Sequence, residues 1–204
     1  MAMHFNKIIF SLFLLLFAPF CLAQEQANLD EAACKVAFAA LPRPTTLRAA
    51  FNQEKSLPDV TKPLRAQGEI LVSGPHGVIL RTLQPAFAQS TRVIPLPRPG
   101  QAAANLEARI GQTIQSVLAG DFAALADLFA AAGQRHGKEL QITLTPKSPQ
   151  VKEAISKISL RFHTYLEEIV IEEAGGSRVR LVFSGFRVAP PATAEEIQAF
   201  NAVR

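Results

Sequence analysis

The side chains able to do chemistry are few and scattered. Beyond residue 23 the chain has three histidines, His76, His136 and His163, and a single cysteine, Cys34. His76 stands in a Gly-Pro turn, His136 in a loop between Gly133 and Gly137, and His163 just past an alternating segment. None has a Cys, His or carboxylate at the spacing a zinc site needs. The sequence contains no Gly-x-Ser-x-Gly elbow and no glycine-rich loop that would cradle phosphate. Two acidic doublets, Glu167-Glu168 and Glu172-Glu173, are the remaining candidates for acid–base work. Both fall in segments of period two, where neighbours face opposite ways, so they read as solvated surface. The pattern predicts neither an enzyme nor a cofactor.

The compartment is read from the first residues. Lys7 precedes an apolar run, Ile8 to Phe17, and Cys21-Leu22-Ala23 supplies the small residues a signal peptidase reads. About ten apolar residues fall well short of the ~20 that span a bilayer. Phe20 stands where a lipobox needs a small residue, so residues 1–23 read as an ordinary cleavable signal and 24–204 as one exported, periplasmic domain. Without Lys7, 20 basic residues oppose 17 acidic ones, a net charge of +3 with no basic run, which excludes a nucleic-acid arm. A lone Cys34 in an apolar stretch forms no internal disulfide and reads as core.

The positioning elements follow from periodicity. Asn28, with Glu31 three residues on, predicts a helix to about Leu41, closed by Pro42 and Pro44. Strands are predicted from Thr46 to Lys55, Leu64 to Ser73, Gly77 to Leu83 and Thr91 to Ile94, the middle two joined by the turn Gly74-Pro75-His76-Gly77. Leu106, Ile110 and Ile114, with Val117 and Leu118, then recur at helical spacing from Asn105 to Leu118. A second short helix, capped by Asp121 and ending at Gly133, carries Phe122, Leu125, Leu128 and Phe129. Strands resume around Leu140–Leu144, Ile158–Phe162, Ile169–Ile171 and Val179–Phe183, and Thr193 with Glu196 opens a terminal helix. The expected architecture is mainly β with helices: an incomplete antiparallel barrel, or strongly curved sheet, of seven to eight strands closed by short amphipathic helices.

Several short motifs then occur in a familiar order. Phe51-x-Gln53, Gly68 with Ile70-Leu71-Val72, Ile79-Leu80-Arg81 with Pro85, and Leu144-Thr145-Pro146-Lys147 resemble the outer-membrane lipoprotein carrier (LolA-like) family over Leu47 to Val188. Lys62-Pro63-Leu64 and the Gly120-Asp121 junction are similar to a divergent branch associated with aryl-polyene or other fatty-acyl synthesis clusters. The chain departs from the family at Gly74, roughly where an Arg holds the lipid load, and in having no Trp. The resemblance implies an apolar cavity for acyl chains, an inner-membrane donor complex and an outer-membrane acceptor. It implies a cofactor-free carrier of lipoprotein, lipid or acyl product that works as a monomer.

The alternating faces nominate the cavity lining: Phe51, Ile70, Val72 and Leu80 from the first half, and Ile142, Ile158, Leu160, Ile169, Ile171, Leu181 and Phe183 from the second. Leu106, Ile110, Ile114, Phe122, Leu125, Leu128 and Phe129 are the candidate lid, and Arg81 a candidate contact for a headgroup or membrane partner. The alternatives are a non-carrier interaction or sensor module on the same half-barrel, in which these residues merely fill a core, and a hydrolase whose site no motif exposes.

Overall fold

The computed structural model describes residues 26–95, 116–118 and 121–203. Ten strands form one antiparallel sheet in the order β1-β6-β7-β8-β9-β10-β2-β3-β4-β5, with β1 and β5 at its edges and no closure into a barrel. The strands are β1 (Gln26–Leu29), β2 (Thr46–Ser56), β3 (Leu64–Ser73), β4 (Gly77–Gln84) and β5 (Ser90–Pro95), then β6 (Phe129–His136), β7 (Glu139–Pro146), β8 (Ile155–Phe162), β9 (Leu166–Glu173) and β10 (Arg178–Val188). The α-helices are α1 (Glu31–Ala39), α2 (Phe122–Ala126), α3 (Pro149–Lys152) and α4 (Ala194–Ala202), and a 3-10 turn at Ala86–Ala88 joins β4 to β5. The curved β sheet with helical cover is as expected, with more strands than the seven to eight anticipated.

The difference in strand number comes from β1 and β6. Asn28 does not cap a helix; it pairs with Gln134 across β1–β6, and the cap is Asp30, whose Oδ1 accepts from the Ala33 N–H at 2.8 Å. The second mid-chain helix stops at Ala126, and Phe129 opens a strand that pairs with β7 from Phe129–Pro146 to His136–Glu139. The alanines of Phe129–Ala132 favour helix by local propensity, so pairing with β7 decides, and Gly133–His136 is paired on its other side by β1 as well. Gly133 is mid-strand because a Cβ there would lie 2.9 Å from Cys34 Sγ and 2.8 Å from the Gln141 carbonyl oxygen. The Asn105–Leu118 helix lies outside the described residues except for 116–118, which are helical.

Period two sorts the sheet into two faces. The inner face gathers one apolar cluster from β2, β3, β6–β9 and β10, with α1 and α2 packed into it. Cys34, Ala37 and Phe38 form the buried stripe of α1. Phe38 meets Phe122 and Phe162, each at 5.5 Å between ring centres and the latter edge-on. Burial raises the Cys34 thiol above its ordinary value, with Asp30 and Glu31 adding to the shift, which fits a core residue.

The outer face is covered at one end by α4. The expected capping box is present: Thr193 Oγ1 accepts from the Glu196 N–H, and Glu196 accepts from the Thr193 N–H. Phe200 packs on Leu71 and Ile79 in a second, smaller cluster and stacks on His76 at 5.6 Å. The helix is fastened by Arg48, which grips the buried Glu196 through two bonds of 2.9 Å.

Candidate functional site

An apolar cavity of about 370 Å³ opens on the inner face. Its floor is β-sheet: Ala49 from β2, Ile70 and Val72 from β3, and Phe183 from β10. Phe38 and Leu41 wall one side from α1 and the segment after it, and Val117 and Leu118 from residues 116–118 close over it. Phe162, Tyr165 and Leu166 approach from the β8–β9 end. Most of these side chains are nearly or wholly buried, whereas Pro42, Arg43, Thr45, Gly74, Pro75 and Thr164 are exposed and form a rim at one end of the sheet.

Strand register explains the position of this space. Pairing of β9 with β10 stops at Glu168–Val182, while β10 continues along β2 to Val188–Leu47. From Phe183 onward β10 is therefore held on one side only, and a register shift between Ser184 and Arg187 bends it there. Tyr165 and Phe186 flank the gap with rings 5.2 Å apart.

Of the residues nominated as lining, Ile70, Val72 and Phe183 line the cavity. Phe51, Ile142, Ile158, Leu160, Ile169, Ile171 and Leu181 face the same side but are buried in close-packed core, and Leu80 packs against that core. Of the nominated lid, Leu106, Ile110 and Ile114 lie outside the described residues. Phe122 and Leu125 are buried in α2, Leu128 is half-buried beyond it, and Phe129 heads β6; none of the four touches the cavity. Phe129 is a correction: it is a core residue on a strand, so it cannot swing with a lid. Of the walls that were not nominated, Phe38 and Leu41 belong to a legible stripe, Cys34, Ala37, Phe38 and Leu41, at i, i+3, i+4 and i+7.

Arg81, nominated to contact a headgroup or a membrane partner, does not face the cavity. Its neighbour Leu80 points inward, so Arg81 points outward, 3.7 Å from Glu196 and on the opposite face of the sheet from the cavity. Arg48 and Arg81 line an outer-face hollow of about 340 Å³ with Arg187 and Glu69. The Arg48 hydrogen bond lowers the Glu196 carboxyl to about 2, despite burial that opposes the shift.

The doublet Glu167-Glu168 also departs from expectation. Arg161 pairs with Glu168 and Phe162 with Leu166, so Glu167 is the extra residue of a bulge. Both carboxylates consequently reach Arg161, at 2.7 Å and 3.2 Å, and Arg180 also binds Glu168. Burial would raise the Glu168 carboxyl, but the hydrogen bonds from Arg180 and Arg161 outweigh it and hold it below its ordinary value. Glu172 and Glu173 go to separate lysines, Lys157 and Lys55. These carboxylates are all taken up in ion pairs that brace the surface of the sheet. Among the described residues no three His, Cys, Asp or Glu gather as metal ligands, and no helix is long and apolar enough to cross a membrane.

The chain is thus an open antiparallel sheet, covered by helices on its inner face, with an apolar hollow at one end. The family described as outer membrane lipoprotein carrier protein LolA matches residues 43–198, and the chain belongs to that family. No curated protein matches it. Among solved structures it is similar to the LolA superfamily protein NE2245 from Nitrosomonas europaea, at 10% identity over 80% of this chain and 96% of that one, with a TM-score of 0.43. A DUF1329 family protein from Desulfovibrio piger is similar at 9% identity over 83% and 98%, with a TM-score of 0.44.

Proposed function

We propose that this protein is a periplasmic carrier that shelters a lipid, lipoprotein or other acyl product and passes it from an inner-membrane donor to an outer-membrane acceptor, with no catalytic step. The carrying observation is the cavity of about 370 Å³, floored by Ala49, Ile70, Val72 and Phe183 and walled by Phe38. Family membership supports the same reading. Burying one methylene is worth about 0.8 kcal/mol, so a sixteen-carbon chain gains roughly 13 kcal/mol on leaving water. Hydrocarbon therefore needs a shelter to cross an aqueous compartment. An open rim on one side suits a cargo that must later be released.

Titration of the purified mature chain, residues 24–204, with a fluorescent fatty acid tests this reading. Saturation at one equivalent, with displacement by unlabelled fatty acid, is expected. Absence of saturable uptake, together with native mass spectra free of acyl adducts, would refute it.

A further inference from the structure

The cavity has one charge at its mouth. Among the described lining residues Arg43 is the sole ionisable side chain of fixed charge, and it is exposed on the rim between Pro42 and Pro44. No acidic group among the described residues lies within ion-pair distance of it, whereas Arg48, Arg81, Arg161 and Arg180 are all engaged by glutamates. Two prolines fix the backbone on either side of Arg43 and hold its base at the rim. The backbone N–H of Gly74 donates to the Thr45 carbonyl at 2.9 Å, which ties this segment to the β3–β4 turn across the mouth.

Size sets a second limit. At the packing density of protein interiors a methylene takes roughly 25 Å³, so about 370 Å³ holds on the order of a dozen, one chain of medium length. Two or three long chains exceed that volume unless they extend out through the open rim.

Resting on the carrier reading above, we propose that the ligand is a single-chain anionic amphiphile, its hydrocarbon in the cavity and its acid group at the Arg43 guanidinium. A free fatty acid and a monoacyl phospholipid share this chemistry, because a guanidinium recognises carboxylate and phosphate alike.

Competition against an anthroyloxy-labelled fatty acid, at a pH where dodecanoate is ionised, tests the proposal with four probes: dodecanoate, methyl dodecanoate, a monoacyl phosphatidate and a two-chain phosphatidate. The native chain should bind dodecanoate about fivefold to tenfold tighter than its ester. That preference should fall towards unity in Arg43→Gln, survive in Arg43→Lys and shrink with added salt. The two single-chain anions separate the sources by their relative affinity, and the two-chain lipid should compete worst. Equal binding of acid and ester by the native chain would overturn acid recognition and leave the carrier reading intact. Stronger competition by the two-chain lipid would overturn the single-chain limit. No displacement by any probe would defeat both readings.

Discussion

The two halves of the sheet carry the same alternating apolar pattern and put it to different uses. In the β6–β9 half, Leu140, Ile142, Leu144, Ile158 and Leu160 are at most 2% exposed, pressed into one cluster with α1 and α2. In the β2–β3 and late-β10 half, Ala49, Ile70, Val72 and Phe183 face a void. A strand's pattern determines which face is apolar; what lies over that face determines whether it is filled. Here the β9–β10 pairing lapses beyond Val182, and the hollow sits beside that lapse. One half is filled by its own side chains, and the other borders a hollow.

Substitutions can break or sharpen that contrast. The largest effect is expected where the backbone itself is in the way. A Cβ on Gly68 would fall 1.9 Å from the Arg81 carbonyl oxygen and 2.8 Å from the Phe51 ring. Gly68→Ala should therefore cost about 3 kcal/mol or more in urea unfolding, or prevent folding altogether. Next comes the packed half, where Ile142→Ala should lose about 2–5 kcal/mol by opening a cavity at a site 1% exposed.

The outer clasp of α4 ranks third. Because Glu196 is lowered from 4.5 to about 2, its stabilisation is complete above the ordinary carboxylate range and is lost as pH falls from about 4.5 towards 2. Glu196→Gln should cost about 2 kcal/mol at neutral pH and flatten the acid limb of the stability profile in that window. In the hollow half, Val72→Ala should cost only about 1 kcal/mol, because the side chain already borders empty space. Equal losses from Ile142→Ala and Val72→Ala would erase the distinction between the halves.

The fold was legible wherever a segment carried its own signal. Period two marked β2, β3, β4 and β7–β10, and Thr193-Ala194-Glu195-Glu196 marked α4 through its capping box. Both missed strands belong to one partnership. The Ala-rich β6 lacks branched side chains, and without it β1 had nothing to pair with. The bulge at Glu167 was hidden because it depends on how β8 and β9 align, which neither segment encodes alone.

The site was legible in part. Alternation found the correct face, including Ile70, Val72 and Phe183, but it could not separate wall from core, since Ile142 and Ile70 look alike in sequence. Parity along β4 would have turned Arg81 outward. The cavity's place follows from chain segments far apart in sequence, the α1–β2 connection and the ends of β8 and β10, which no local pattern joins.

One measurement bears most directly on the claim that the β2–β3 side is an oily vacancy built for a guest. Val72→Phe adds a ring into that vacancy, where it should meet space and leave the unfolding free energy within about 1 kcal/mol of the native value. The same variant should bind a fluorescent fatty acid at least about tenfold more weakly than the native chain. Undiminished uptake with the cavity filled, or a collapse of stability showing the space was never there, would contradict the account.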